Sequence, residues 1–271
     1  MMQATSHIEA ISFVAPGLPD WSHASAVLRG EQPCAASELA AYQPNLLPPN
    51  ERRRASPTVR MAFRIAEELI NSSRQDAAQL ACVFSSSDGD LAIAQRICNA
   101  LAESTRMVSP TDFHNSVHNA AAGYWSIAAN AKGPATAISA FDDSFAIGLL
   151  EAHAMVQVEK QSTLLVVYDV PAPMPLHASR PLGIAAGVGL LVTPHRTAAS
   201  IAAFQCDAGD GNGTRCDDAA IESLRISNPA ARSLPLLQAI ARQQSTAVEI
   251  AMSGQRTLRI TLQIGAAEVH A

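Results

Sequence analysis

The clearest pattern in the chain is a series of short apolar runs separated by segments of helical periodicity. Residues 7–14 alternate between apolar and polar positions and end at Pro16-Gly17, which predicts a first strand. Residues 163–170 form an almost continuous apolar run, which is typical of a strand buried on both faces of a mixed or parallel sheet. Further strands are predicted at 80–84, 135–140, 183–193, 200–206, 246–252 and 256–264.

Helical periodicity fills several of the segments between these strands. Ser56 is placed to cap a helix whose first position is Pro57. The inward face of that helix is predicted to carry Val59, Phe63, Ala66, Leu69 and Ile70. After the turn 85–90, a second helix is predicted to share one face among Leu91, Ala94, Ile97, Cys98 and Leu101. Helices are also predicted at 142–156 and 228–242, so the alternation of strands and helices predicts an α/β fold with helices layered on a sheet.

Two segments lack a clean period. Residues 17–55 are rich in proline and predict a long irregular excursion, with a short helix around 35–42. Residues 207–218 are rich in glycine and aspartate and predict a solvated turn, because no calcium loop can be aligned there with its glycine and its twelfth-position glutamate. The length of 271 residues suits one domain, 1–271.

Composition narrows the classes of function. Hydrophobic residues make up 48% of the chain and aromatic residues only 4%, so the core must consist mainly of Ala, Val, Ile and Leu. A net charge of -5, with Arg52-Arg53-Arg54 as the one basic run, argues against nucleic-acid binding. No apolar stretch is long enough to span a membrane, and the first 16 residues lack the features of a secretory signal, so a cytoplasmic location is expected.

Three local motifs are predicted to have structural roles. The five cysteines show no C-x-x-C pair and are expected to be reduced thiols, with Cys82 and Cys98 in the core. The serines of 85–87 lack the glycines of a nucleophile elbow, so the serines and the following aspartates are expected to cap a helix. The run Gly187-Val188-Gly189 lies within a predicted strand and indicates close backbone packing.

The pair His114 and His118 has the spacing that places two imidazoles on one face of a helix. Asn115 stands where a zinc hydrolase needs a glutamate base, and no third ligand is evident in the sequence. No metal and no cofactor are therefore expected.

The segment 109–119 (SPTDFHNSVHN), followed by Gly123 and the turn Gly133-Pro134, resembles the N-terminal half of the β-ketoacyl-acyl-carrier-protein synthases. Residues 46–56 (LLPPNERRRAS) and 228–232 (NPAAR) resemble the short β-ketoacyl synthase-like N-terminal proteins. These are regarded as chain-length factors in clusters that make aryl polyene or xanthomonadin-type pigments. The resemblance is best over residues 45–195, and residues 207–271 diverge. It implies a thiolase-like half-fold, a mixed sheet layered with helices, truncated relative to a full ketosynthase.

The same resemblance bears on catalysis. Counting from Gly133-Pro134 places the family's nucleophilic cysteine at Asp142, and no cysteine occurs between Cys98 and Cys206. Too few residues follow 193 to hold the second half of a synthase with its two catalytic histidines. The resemblance therefore implies a non-catalytic subunit, with Asp142 expected to cap the next helix, that pairs as a heterodimer with a full-length β-ketoacyl-acyl-carrier-protein synthase.

In that role the subunit shapes the acyl tunnel of its partner and reaches the acyl carrier protein through the complex. The resemblance implies that the residues lining the tunnel or the interface are Phe113, Ser116, Val117, Asn119, Tyr124, Phe141 and Asp143. Two alternatives stay open. One is an independent enzyme of the thiolase superfamily that uses Asp142 or Asp143 for decarboxylation or acyl transfer, and the other is a homodimer with a structural role.

Overall fold

The computed structural model describes residues 4–35, 37–73 and 75–265. The first four strands in this part of the chain are β1 (Ser6–Val14), β2 (Ala81–Ser85), β3 (Ala135–Ile138) and β4 (Thr163–Asp169). The remaining strands are β5 (Ala186–Thr193), β6 (Ala202–Asp210), β7 (Thr246–Ala251) and β8 (Arg256–Ile264). Together they form one sheet in the order β3-β2-β4-β5-β1-β6-β8-β7.

The helices of the described residues lie between and beside these strands. The first five are α1 (Trp21–Leu28), α2 (Pro49–Arg54), α3 (Pro57–Ser73), α4 (Leu91–Ala102) and α5 (Pro110–Asn115). The others are α6 (Ala120–Ala128), α7 (Ser144–Glu159), α8 (Leu176–Ser179), α9 (Ala219–Ser227) and α10 (Leu234–Ala241). Single turns of 3-10 helix occur at Ala77–Gln79, Phe141–Asp143, Ala230–Ser233 and Ser253–Gln255.

The sheet is mixed, as predicted. Strand β2 pairs in parallel with both β3 and β4, whereas the other neighbouring strands pair antiparallel. All seven residues of β4 are buried, which confirms the prediction of a strand covered on both faces. Because β2, β3 and β4 run in the same direction, their carboxyl ends meet at one edge of the sheet, where open α/β sheets commonly place functional groups.

Helices cover both faces of the sheet. Helices α3 and α6 pack on one face, where Phe63 and Trp125 meet edge to face. Helices α1, α7 and α10 pack on the other face. On β5, a Cβ at Gly187 would lie 2.7 Å from Ile65 Cγ1, and one at Gly189 would lie 2.6 Å from Ile65 Cγ2. The two glycines therefore let α3 approach β5 closely, which confirms the packing role predicted for them.

Helix α3 begins as predicted, because the Val59 amide donates to Ser56 Oγ at 3.2 Å. The same helix anchors the segment 17–55. The buried carboxylate of Glu67 accepts hydrogen bonds from the amides of Asn45 and Leu46 and from the hydroxyl of Tyr42. Buried carboxylates are stable in a fold when donors surround them in this way.

The segment 17–55 is more regular than its sequence suggested. It contains α1 and α2, whereas the helix predicted at 35–42 is absent from the described part of that range; residue 36 lies outside the described residues. Helix α1 forms where Asp20 Oδ1 accepts from the His23 amide at 2.7 Å and the side chains of Val27 and Leu28 are buried. The prolines 48 and 49 start α2, since proline is well tolerated at the first helical positions.

Two other sequence predictions were wrong. Helix α4 buries only Ile93 in full, and Cys98 and Leu101 are exposed because α4 lies outside both core clusters and packs mainly against α5. Cys82, by contrast, is buried as predicted. The predicted turn 207–218 starts later than expected, because β6 continues to Asp210 in an unbroken ladder with β8. Residues 266–271 of the divergent region lie outside the described residues.

Candidate functional site

The turn that joins β3 to α7 lies at the edge of the sheet where β2, β3 and β4 end. Phe141 in this turn has a φ of 52°, in the left-handed region that non-glycine residues rarely adopt. Ser144 holds the turn, since its hydroxyl donates to Phe141 O at 2.7 Å and accepts from the Ala140 amide at 3.2 Å. Strained residues at strand-to-helix turns are a common device for presenting one side chain at a functional site.

Two arginines from distant parts of the chain converge on this turn. Arg180 forms ion pairs of 2.7 Å with both Asp88 and Asp142, and Arg232 binds the other oxygen of Asp142 at 2.8 Å. The Arg180 guanidinium carbon also lies 3.7 Å from the centroid of the Phe141 ring, a cation–π contact. Phe141 nevertheless remains 59% exposed.

The expected capping role of Asp142 is wrong. Asp142 lies inside the 3-10 turn Phe141–Asp143, and the position before α7 is Asp143, whose side chain makes no capping bond. The Asp142 carboxylate instead receives donors from the two arginines, which compete with any capping contact. Asp143 accepts from the Ser253 amide at 3.0 Å and from its hydroxyl at 2.5 Å. Both carboxylates are therefore occupied by donors.

A buried carboxyl lies at the end of the neighbouring strand β4. Asp169 Oδ1 accepts from Ser86 Oγ and the Ser87 amide at 2.8 Å and from Ser87 Oγ at 3.0 Å, whereas Oδ2 has no hydrogen-bond partner. Burial raises the pKa of Asp169 to about 7, against the lowering effect of these hydrogen bonds. The expected capping by aspartate is confirmed at Asp90, which accepts from the Ile93 amide, but the serines hold Asp169 instead of capping α4.

The histidine pair does not share one helix face. Helix α5 ends at Asn115, so His118 lies beyond it, with Nε2 2.8 Å from Ile138 O at the end of β3. His114 makes an edge-on contact with the Tyr124 ring, with 6.4 Å between ring centroids. The segment that follows α5 is thus fixed against the β3 end of the site.

A groove of about 760 Å³ lies between α2, α5 and α6. Of the residues predicted to line a tunnel or interface, Val117, Asn119 and Tyr124 border this groove, whereas Phe113 and Ser116 do not. Both of those lie at the end of α5, where the exposed Phe113 adds to the apolar surface beside the groove. Phe141 and Asp143 belong to the β3–α7 turn, so the predicted set falls into two places.

Sequence reasoning missed Asp169, Arg180 and Arg232. Asp169 carried a faint signal, because it ends an apolar strand and precedes a proline-rich link. Arg232 lies in the segment 228–232 that carries the resemblance, but nothing there indicated a contact with Asp142, and Arg180 carried no signal because its partners are far away along the chain.

Comparisons with known proteins relate this chain to ketosynthases. The family model described as "Beta-ketoacyl synthase, N-terminal domain" matches residues 21–257. This range extends on both sides beyond residues 45–195, where the sequence resemblance is best. A search of curated proteins found no match to the chain. No helix of the described residues is long and apolar enough to cross a membrane.

Solved structures of the same fold include a ketosynthase, ApeO, in complex with its chain length factor, ApeC, from Xenorhabdus doucetiae. The match has 22% identity, covers 96% of this chain and 100% of that chain, and has a TM-score of 0.73. A structure described as a type II polyketide acyl-carrier protein in complex with its ketosynthase, AntDE:AntF, matches at 10% identity, with coverage of 97% and 100% and a TM-score of 0.77. A β-ketoacyl synthase from Burkholderia phymatum matches at 14% identity and a TM-score of 0.60, with 90% of this chain covering 71% of that one. The fold is therefore thiolase-like, as predicted.

Proposed function

Because the chain belongs to the β-ketoacyl synthase N-terminal domain family, we propose that it is a non-catalytic subunit that sets chain length for an active β-ketoacyl-acyl-carrier-protein synthase. It pairs with that synthase as a heterodimer, shapes its acyl tunnel and meets the acyl carrier protein through the complex. The observation that carries this proposal is the β3–α7 turn, in which the strained residue is Phe141 and no thiol is present.

The backbone of the β3–α7 turn changes which residue corresponds to the family's nucleophile. Counting from Gly133-Pro134 gave Asp142, but the left-handed residue is Phe141, one position earlier. A nucleophile elbow presents its reactive group on the strained residue, so we assign the position to Phe141. A phenyl ring cannot attack a thioester.

Three of the five cysteines are also unsuited to replace that thiol. Burial raises the pKa of Cys82, Cys206 and Cys216 to about 12 in each case. A thiol is a useful nucleophile only as the thiolate, which such values leave unpopulated near neutral pH.

The bonding of Asp142 and Asp143 also favours the subunit over an enzyme that works with a carboxylate. A general base needs an oxygen that can receive the substrate's proton. Arg180 and Arg232 occupy both oxygens of Asp142, and Ser253 donates to Asp143 from its amide and its hydroxyl.

Pairing uses the exposed side of β3 in this proposal. Strand β3 is at the edge of the sheet, and an edge strand offers unpaired backbone groups to another chain. The exposed side chains of Phe113 on α5, Ile127 on α6 and Val117 between these helices supply apolar surface. An obligate interface of this kind buries on the order of 2,000 Å² or more.

The likeness to a ketosynthase in complex with its chain length factor supports this pairing. The sequence of residues 46–56 and 228–232 extends the proposal to aryl polyene or xanthomonadin-type synthesis, in the cytoplasm.

The test is co-expression with a full-length ketosynthase from the same host, followed by size-exclusion chromatography with light scattering. We expect one heterodimer peak, and condensation of acyl and malonyl thioesters by the pair but not by this chain alone. Carbon–carbon bond formation by the homogeneous chain would favour the carboxylate enzyme instead.

A matched pair of variants tests the surface. Ile127 is 78% exposed on α6, and Val158 is 75% exposed at the end of α7. Ile127→Glu should abolish the heterodimer peak, whereas Val158→Glu should retain it. Loss of the peak in both variants, or in neither, would contradict the use of the α6 surface.

A further inference from the structure

The contacts of Arg180 differ from those of Arg232, although both arginines bind Asp142. Arg180 binds one carboxylate oxygen at 2.7 Å and Arg232 binds the other at 2.8 Å. Their side chains are 13% and 23% exposed, so both pairs are largely buried. Among the described residues, however, only Arg180 has its guanidinium over an aromatic ring in this turn, that of Phe141.

Arg180 is itself held from a second side. Its Nε donates to Asp88 Oδ2 at 2.7 Å, and the single hydroxyl hydrogen of Ser87 is shared between Asp88 Oδ2 at 2.7 Å and Asp169 Oδ1 at 3.0 Å. Ser87 is one of the two serines that hold the buried Asp169. The guanidinium plane is therefore fixed between Asp88 and Asp142, which leaves its face for the Phe141 ring. A planar guanidinium combines such in-plane hydrogen bonds with stacking, which a lysine ammonium cannot do.

The ring needs such a restraint. Phe141 is largely exposed, so burial does not select one rotamer for it. In its left-handed backbone conformation the side chain leaves the turn in a direction that ordinary turn residues do not use. The guanidinium at 3.7 Å is then the contact that gives the ring a defined position.

We infer that Arg180 is a positioning residue that holds the Phe141 ring as a fixed apolar group at the end of β3, where it forms part of the wall met by the partner's acyl chain. The wall function rests on the proposed chain-length role. The positioning of the ring does not, because it follows from contacts within this chain.

The experiment measures the two parts separately. The residue 4-fluorophenylalanine is incorporated at position 141 of the full chain, and its ¹⁹F resonance is recorded without any partner. We expect Arg180→Met to move the resonance toward that of the free amino acid and Arg232→Met to leave it in place. Arg180→Lys, which keeps the charge and protects folding, should also move it, because lysine lacks the stacking plane.

An unchanged resonance in both Arg180 variants would overturn the positioning role. Equal shifts in Arg180→Met and Arg232→Met would overturn it too, because the loss of one cation beside Asp142 would then account for both shifts. Product lengths from the reconstituted pair test the wall: Arg180→Met should alter the distribution of chain lengths and Arg232→Met should not. An unaltered distribution from a correctly paired Arg180→Met variant would refute the wall role. Failure of any pair to form would count against the proposed function and leave the resonance result intact.

Discussion

The buried carboxyl of Asp169 makes a specific prediction about stability and pH. Three donors surround Oδ1, from Ser86 and Ser87, but Oδ2 has none, and Asp88 lies near enough to add repulsion. Burial therefore outweighs the hydrogen bonds and raises the pKa of this group from 3.8 to about 7. We predict that Asp169→Asn abolishes the part of the pH dependence of the free energy of unfolding that this carboxyl causes.

The sign follows from linkage. Between the unfolded pKa near 3.8 and the folded pKa near 7, the folded chain binds a proton that the unfolded chain has released. The contribution of Asp169 is thus fully present below pH 3.8 and is lost as the pH rises toward 7. Between these two pKa values, the free energy of unfolding falls by about 1.4 kcal/mol for each pH unit. Roughly 3 kcal/mol is therefore lost from pH 5 to pH 7, and little more is lost up to pH 8. Entry of water around the carboxylate would reduce this figure.

Asparagine keeps an oxygen for the three donors and carries no charge. Its amide nitrogen would replace an oxygen that has no partner, which costs about 1–3 kcal/mol at every pH. The variant should therefore be less stable than the native chain at pH 5 and gain on it by about 2–3 kcal/mol up to pH 8. Urea denaturation followed by circular dichroism at several pH values measures this difference. The variant Glu159→Gln, at an exposed carboxylate, serves as the control.

A difference between Asp169→Asn and the native chain that is constant from pH 5 to pH 8 would refute the reasoning. The carboxyl would then be ionised throughout, with enough solvation to offset its burial.

Three further predictions concern packing, the ion pairs and the groove. Gly189→Ala should lower the free energy of unfolding by about 1–3 kcal/mol, because its Cβ would overlap α3. Gly123→Ala on α6, with open space around it, should instead raise the free energy of unfolding by about 0.5–1 kcal/mol, and equal effects of the two variants in thermal melts would contradict this. Asp142→Ala should cost about 1 kcal/mol and leave the partner's condensation rate within a few-fold, and a thousandfold loss with an intact fold would favour a carboxylate catalyst. In the reconstituted pair, Val117→Phe should shift the products toward shorter chains, as measured by mass spectrometry, whereas Ser116→Phe, outside the groove, should not. Identical products from both variants, each correctly paired, would contradict the assignment of the groove as a tunnel wall.

Local patterns predicted most of the fold because the relevant physics is local. The run 163–170 is buried on both faces in β4, and its continuous apolar composition reports that burial directly. The cap at Ser56 involves residues three apart, so sequence alone specifies it. Asp20 before Trp21 was an equally local signal for α1 that the high proline content of the segment obscured.

Exposure and long-range contacts could not be predicted in this way. The apolar stripe of α4 has the period of a core helix, yet Cys98 and Leu101 are exposed because α4 lies beside α5, away from the sheet. The ion pairs of the candidate site join Asp142 to Arg180 and Arg232, which are 38 and 90 residues away. Contacts at such separations depend on the order of strands in the sheet, and no periodicity encodes them.

The left-handed turn at Phe141 leads to a final prediction about what its side chain does. A non-glycine residue there costs roughly 1–2 kcal/mol, and the cation–π contact with Arg180 returns about 0.5–1 kcal/mol. Phe141→Ala keeps the strain and loses the contact, whereas Phe141→Gly loses both, so we expect the glycine variant to be at least as stable as the alanine variant in urea denaturation. Both variants should alter product length in the reconstituted pair, because neither has a ring. An alanine variant more stable than the glycine variant would show that the strain is smaller than the roughly 0.5–1 kcal/mol that the backbone entropy of glycine costs, and unaltered product lengths in both would mean that the ring serves only the turn.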